Sequence, residues 1–187
     1  MRRIRRAAQP IFPAPAGRLV LRDGDVSAFF GRDGVTLALH DRKSSGGWAV
    51  KWRPAAPIDL APKPTGDLPG KVHVLVGSEE SWRRDLPAYS GVRYDEVEPG
   101  IDICVDAEPR AVKYSLYADA GPATRTFRLR YEGVEELKIM DGGSALLVRT
   151  GLGDLREHGL VAYQGEERRP VSAFYGEVRR TAGSMTW

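Results

Sequence analysis

The chain has 187 residues, a formal net charge of +3 and a single cysteine. This length suits one domain or two small ones, and one cysteine excludes both a disulfide framework and a zinc site built from several cysteines. No apolar stretch reaches the ~18 residues of a membrane-spanning helix, so we expect no membrane span. The 21 glycines and 13 prolines are typical of a chain with many turns between short strands.

The positive charge is concentrated at the amino terminus, where four arginines precede residue 7: Arg2, Arg3, Arg5 and Arg6. Pro10, Pro13 and Pro15 interrupt the following segment, which therefore lacks the apolar core of a signal peptide. We interpret residues 1–17 as a flexible basic, proline-rich arm. Its arginines are candidates for contacts with nucleic acid phosphates.

Short alternating segments predict strands in the next part of the chain. Arg18–Arg22, Val26–Phe30 and Val35–Leu39 are separated by Asp-Gly turns, which predict a three-stranded meander. Val35, Leu37 and Leu39 share one face of their strand. Trp48–Trp52 predicts a fourth strand.

Two segments differ from this pattern. Residues 54–69 carry five prolines, which predict an extended connection or an edge segment because proline donates no ladder hydrogen bond. Ser78–Arg84 is the best helical candidate, since Ser78 suits the N-cap position and Glu79 and Glu80 follow in the first turn.

The second half predicts further short strands. They are Val72–Val76, Tyr89–Val97, Ile101–Val105, Val112–Tyr117, Phe127–Tyr131, Leu137–Ile139, Ala145–Val148, Leu160–Gln164 and Val171–Val178. Roughly a dozen strands with hardly any helix predict an all-β fold, an antiparallel β-sandwich or a partly open barrel. We assign it to residues 18–180, with a tail at 181–187.

Six acidic residues fall within fourteen positions: Asp95, Glu96, Glu98, Asp102, Asp106 and Glu108. Paired carboxylates hydrolyse glycosidic bonds, so Asp95, Glu98 and Asp102 are the candidate site residues of this cluster. The favoured interpretation is an acidic solvent-exposed face, because such spacing is common on the outer side of a sheet.

The remaining chemistry-bearing residues predict no catalytic centre, metal site or cofactor. His40, His73 and His158 each stand alone in their segments, without the spacing of metal ligands. Cys104 lies between Ile103 and Val105, which favours a buried, inert thiol.

A series of motifs follows in a fixed order: Leu68-Pro69-Gly70, Gly77, Trp82, Tyr89, Tyr94, Val97–Asp102, Tyr114, Phe127–Gly133 and Val161–Gln164. The most specific element is Pro99-Gly100-Ile101-Asp102, preceded by Trp82, Tyr89 and Tyr94. Over about residues 18–180 this order resembles the N-terminal domain of bacterial SBBP-type β-propeller repeat proteins. The resemblance implies an all-β module of unknown function beside a propeller, with no assigned catalytic residues.

The sequence departs from that pattern in several places. Lys113 stands where the family has a usual Glu, and Ala120–Ala123 replaces a Pro-Gly-Ala-Asp-Pro turn. No secretion signal precedes the domain and no propeller repeats follow it, which predicts a stand-alone module. The resemblance implies a secreted or surface protein, whereas the missing signal favours the cytoplasm, and both locations stay open.

Three functional hypotheses follow. The first is a non-catalytic interaction module that binds a protein partner, or alternatively a glycan, through loops or a sheet edge. The second is a carboxylate-dependent glycan hydrolase that uses Asp95, Glu98 and Asp102. The third, ranked last, is a nucleic-acid-binding accessory protein that uses the arginine arm.

Overall fold

The computed structural model describes residues 8–41, 43, 46–109, 111–119, 127–181 and 184–186. These residues form seventeen β-strands and two 3-10 turns, with no α-helix among them. All of their strand pairs are antiparallel. The predicted all-β antiparallel class is therefore confirmed.

The strands of the large sheet are β1 (Ile11–Ala14), β2 (Arg18–Asp23), β3 (Val26–Gly31), β4 (Gly34–His40), β5 (Gly47–Pro54), β6 (Lys63–Val74), β7 (Arg83–Glu98), β8 (Ile101–Glu108), β9 (Ala111–Ala118), β10 (Leu129–Glu132), β16 (Arg179–Thr181) and β17 (Ser184–Thr186). Two small sheets consist of β11 (Glu136–Met140), β12 (Ala145–Thr150) and β13 (Gly153–Glu157), and of β14 (Ala162–Gln164) and β15 (Arg169–Val171).

The large sheet has the order β16-β17-β10-β5-β4-β3-β2-β1-β7-β8-β9, and β6 pairs with β7 beside this path. Its strands β1–β10 curl into a half-barrel, which corresponds to the partly open barrel of the sequence prediction. The three strands β11–β13 form a separate sheet whose apolar side chains join the same core.

The predicted meander is present as β2, β3 and β4. Asp23 pairs with Val26 and Gly31 pairs with Gly34, so each hairpin has a two-residue loop at its Asp-Gly turn. The inward face of β4 is also as predicted, because Val35 is fully buried and Leu39 nearly so.

Strand β1 was not expected from the sequence. Ile11–Ala14 fall in the segment interpreted as a flexible arm, yet they pair with β2 and contact β7 at Tyr89. Ile11 is 0% exposed and Phe12 is 7% exposed, so apolar burial orders this short segment despite its prolines. The four arginines of the arm lie outside the described residues.

The predicted helix at Ser78–Arg84 is wrong. Within this segment only Glu79–Ser81 are helical, and they form a single 3-10 turn. The side chain of Ser78 makes no cap hydrogen bond to the backbone. Trp82 is already extended, and Arg83 begins β7. A segment of two turns does not offset the cost of helix nucleation, whereas the long strand gains a ladder immediately.

Strand pairing also extends into residues 54–69, where an extended connection or an edge segment was predicted, and into the predicted tail. Strand β6 begins inside the proline-rich segment 54–69 and pairs with β7, with register shifts between Leu68 and Lys71. The hairpin of β16 and β17 pairs with β10 and includes part of the predicted tail.

The core lies between the concave face of the half-barrel and the β11–β13 sheet. Its fully buried members share inward positions on alternating strand residues; they are Ile11, Phe30, Val35, Val50, Val92, Tyr94, Ile101, Ile103, Val105, Leu129, Tyr131 and Leu146. Leu146 and Val148 of β12 belong to the same cluster as Phe30 and Trp52, which shows that the two sheets share one core. None of the helical turns in the described residues is long and apolar enough to cross a membrane.

Candidate functional site

Two of the three candidate carboxylates are held together by one arginine. Arg93 on β7 donates hydrogen bonds to Asp95 and, at 2.5 Å, to Oδ2 of Asp102 on β8. The ammonium group of Lys63 on β6 donates to the other oxygen of Asp95 at 2.5 Å. The acidic cluster is thus an ion-pair network across three neighbouring strands.

The electrostatics of this network differ from those of a general acid. The hydrogen bond from Lys63, followed by the one from Arg93, lowers the pKa of Asp95 below its ordinary value. A glycosidase acid instead needs a raised carboxyl pKa. Glu98 lies at the end of β7, opposite Ile101, and forms no ion pair with the described residues.

The Pro99-Gly100 element is the turn that joins β7 to β8. Gly100 has φ of +74°, a left-handed conformation that favours glycine, and a Cβ there would lie 3.2 Å from Oδ2 of Asp119, whose side chain would have to shift by a few tenths of an ångström. Ile101 enters the core at 1% exposure, while Oδ1 of Asp102 accepts the Glu96 amide at 2.8 Å. Asp102 therefore holds the backbone of the turn region.

The aromatic residues of the sequence motif are distributed over the sheet. Tyr94 is buried and its hydroxyl donates to the carbonyl of Gly31 at 2.9 Å. Tyr89 pairs with Ile11 on one side and with β6 on the other. Indole Nε1 of Trp82 donates to the carbonyl of Gly77 at 3.3 Å, and these aromatic contacts support the fold at separate places.

A second polar cluster, which the sequence analysis missed, surrounds Glu157 at the end of β13. Its carboxylate accepts hydrogen bonds from three tyrosine hydroxyls: Tyr114 on β9 at 2.8 Å, Tyr131 on β10, and Tyr175 at 3.4 Å. The ring of Trp52 lies 5.4 Å from that of Tyr114. We call Glu157 and its three hydrogen-bond donors, Tyr114, Tyr131 and Tyr175, the Glu157 cluster.

Burial dominates the titration of the Glu157 cluster. Desolvation raises the pKa of Glu157 above its ordinary value, although the three phenol hydrogen bonds oppose this change. Desolvation and the nearby carboxylate raise the pKa of Tyr175 to about 12, and the pKa of Tyr114 also rises well above its ordinary value. Tyr114 and Tyr175 therefore stay protonated and act as donors, and together with the hydroxyl of Tyr131 they tie three separate chain segments to one carboxyl group.

Strand β9 forms one end of the large sheet and pairs only with β8 among the described residues. Its register is regular from Ala111 opposite Glu108 to Ala118 opposite Ile101. The amide of Asp119 donates to the carbonyl of Gly100. Because hydrogen bonding alternates along an antiparallel ladder, the odd-numbered residues of β9 bond to β8, and the even-numbered ones direct their amides and carbonyls to the open edge.

The open edge of β9 also exposes apolar side chains. Leu116 is 41% exposed and Tyr117 is 58% exposed, on opposite faces of the strand. Lys113 is its one charged residue. Within the described part of the chain, the β9 edge thus combines unpaired backbone groups with exposed apolar surface.

The structure gives defined surroundings to His73 and Cys104, two of the isolated residues singled out in the sequence. Nδ1 of His73 accepts the amide of Asp85 at 3.2 Å. Cys104 is half-buried, and burial raises the pKa of its thiol, which opposes nucleophilic reactivity. No three His, Cys, Asp or Glu side chains are grouped to hold a metal ion among the residues described.

These features define an all-β domain with an open sheet edge and ion-paired carboxylates. The chain belongs to the family DUF7948, a domain of unknown function, whose family model matches residues 15–181. No curated protein and no solved structure shows a significant match to the chain.

Proposed function

We propose that this protein is a non-catalytic interaction module that binds an extended segment of a protein partner by strand addition along β9. The observation that carries the proposal is the open edge of β9. Added strands gain affinity from main-chain hydrogen bonds and specificity from alternate side chains. The edge of β9 offers both edge-facing main-chain groups and exposed side chains.

Another edge strand of the large sheet, β6, is less suited to strand addition than β9. Strand β6 has register shifts after Leu68 and after Val72, and it contains Pro64 and Pro69. Bulges and prolines are the usual protection of an edge against pairing. Strand β9 has neither, since its eight residues contain no proline and pair with β8 without a shift.

The resemblance to the N-terminal domain of SBBP-type propeller proteins also supports an interaction module, because that domain stands beside a propeller without assigned catalytic residues. The competing hydrolase is less favoured by the contacts of Asp95 and Asp102. Both carboxylates share Arg93, and the lowered pKa of Asp95 suits a structural ion pair.

The proposal is tested by blocking one edge-facing amide. Leu116→Pro removes an N–H that points away from β8, while Leu116→Ala removes the same side chain and keeps the N–H. Peptides selected on the wild-type protein from a random display library serve as the probe. We expect Leu116→Pro to weaken their binding about tenfold or more, and Leu116→Ala to weaken it less.

The variants must first match the wild-type protein in circular dichroism and in urea midpoint. Should Leu116→Pro fail to fold, methylation of the Leu116 amide in semisynthetic protein removes the same donor. Peptides that bind the proline and wild-type proteins equally, or a library that yields no binder, would overturn the proposal.

A further inference from the structure

We infer that the segment which pairs with β9 is β9 of a second copy of this chain, in an antiparallel two-fold arrangement with Leu116 opposite Leu116. This inference rests on the proposed function and names its partner. The arrangement joins two half-barrels into one continuous sheet. Its basis is the charge pattern and the exposed apolar surface of the edge itself.

The charges of the edge are self-complementary. Lys113 on β9 and Asp119 directly after it are both exposed, and neither forms an ion pair with the described residues. Both occupy odd-numbered positions, so their side chains lie on the same face. When Leu116 faces Leu116 of the second copy, Lys113 lies opposite Asp119 of that copy, and the two-fold axis repeats this pair.

One alternative register, with Tyr114 opposite itself, is disfavoured by the same charges. It places Lys113 opposite Ser115 of the second copy, which brings the two Lys113 side chains to diagonal positions. Diagonal neighbours on one face are close enough for long side chains to interact, and like charges repel. The Leu116 register replaces this repulsion by two opposite-charge pairs.

The backbone and the apolar surface fit this register as well. Tyr114, Leu116 and Ala118 all direct their amides and carbonyls to the open edge, and the register sets Leu116 opposite itself and Tyr114 opposite Ala118. Each of these pairs then exchanges two hydrogen bonds. The exposed side of Leu116 is covered by the same residue of the second copy, while small Ala118 leaves room beside Tyr114.

The contact is short, so the dimer is expected to be weak. One strand edge buries less than the ~800 Å² per partner of a standard interface. We therefore expect dissociation in the range of about 10 μM to 1 mM, which analytical ultracentrifugation of the full chain resolves over a concentration series.

Charge exchange tests the arrangement. Lys113→Asp and Asp119→Lys each place like charges opposite one another and should weaken the dimer about tenfold, whereas the double variant restores opposite charges and the affinity. Leu116→Pro should abolish the dimer. Lys138→Asp, an exposed residue of β11 away from this edge, is the matched control and should leave the dimer unchanged.

The outcomes separate this inference from the proposed function. The protein could stay monomeric at every concentration and still bind selected peptides in a manner sensitive to Leu116→Pro. This result would overturn the inference that the partner is a second copy, and it would support the proposed strand addition. A dimer unaffected by both charge reversal and Leu116→Pro overturns the inference, because it must use another surface. Peptide binding that Leu116→Pro leaves intact overturns strand addition itself.

Discussion

The hydroxyl of Tyr114 donates a hydrogen bond of 2.8 Å to the carboxylate of Glu157, and this bond joins the last strand of the large sheet to the small β11–β13 sheet. Tyr131 donates to the other oxygen of the same carboxylate from β10. Two strands near opposite ends of the large sheet are thus connected through one side chain of the small sheet. The cluster therefore holds the half-barrel around its core.

Glu157→Gln should change how stability depends on pH. Burial raises the folded-state pKa of Glu157 above 4.5, so the unfolded chain releases this proton first and the wild-type protein loses stability as pH rises from about 4.5 through the folded pKa. Glutamine has no such transition. Urea unfolding between pH 4 and pH 8 should therefore show that the free energy of unfolding of Glu157→Gln increases relative to that of the wild-type protein as pH rises. A difference that is constant, or that moves toward the wild-type protein, contradicts the raised pKa.

Tyr114→Phe removes a donor to a buried carboxyl group and should lower the free energy of unfolding by about 1.5 kcal/mol at neutral pH. The matched control is Tyr117→Phe, because Tyr117 is 58% exposed on the same strand and should change stability by less than about 0.5 kcal/mol. Chemical denaturation of both variants measures the difference. Equal effects would show that the phenol–carboxylate bond contributes nothing measurable.

Gly133→Ala should be far more damaging than Gly159→Ala. Both glycines have φ of +74°, so both substitutions carry the left-handed strain of about 1 kcal/mol. A Cβ at residue 133 would also lie 2.1 Å from the carbonyl oxygen of Ala49, whereas nothing lies within 4 Å at residue 159. Thermal unfolding should show an additional loss of about 2 kcal/mol or more for Gly133→Ala. Similar melting temperatures would contradict this close approach of β5.

The pKa of Asp95 should rise in two steps when its partners are removed. Lys63→Met is expected to raise it most and Arg93→Gln less, because the lysine hydrogen bond is the larger cause of its lowering. NMR titration of the carboxyl carbon measures both changes. Since the folded pKa lies below 3.8, this carboxylate stabilises the wild-type fold above that pH, and the contribution is lost as pH falls through the folded pKa. A wild-type pKa above 3.8 would instead reopen an acid role for Asp95.

The hairpins could be predicted from the sequence because their information is local. Asp-Gly turns and alternating residues determine β2, β3 and β4 within a few positions of each other. The same holds for the hairpin of β11 and β12, because both of its strands are predicted from short apolar segments, Leu137–Ile139 and Ala145–Val148. Local turn chemistry and strand alternation thus account for much of the all-β architecture.

The features that sequence reasoning missed depend on distant partners. Strand β1 looks like a proline-interrupted arm until Ile11 and Phe12 are placed between β2 and β7. The Glu157 cluster joins residues from positions 114 to 175, and no local pattern marks Glu157 as different from other strand-end carboxylates. Long-range contacts of this kind become visible only in the folded chain.

The position of β1 has a consequence for the order of folding. The large sheet contains two runs of strands that pair with their neighbours in the chain, β1–β5 and β6–β9, and β1 joins these runs through the pair of Ile11 with Tyr89. Strands β10, β17 and β16 continue the sheet beyond β5. Ile11 and Tyr89 are about 80 positions apart, so the loop entropy of this closure exceeds that of any hairpin within the runs. The strand pairs within each run can form first, because their contacts are local in sequence. The pairing of β1 with β7, which connects the two runs, is expected to form later. The amino-terminal strand β1 thus completes the sheet by connecting its two runs of strands.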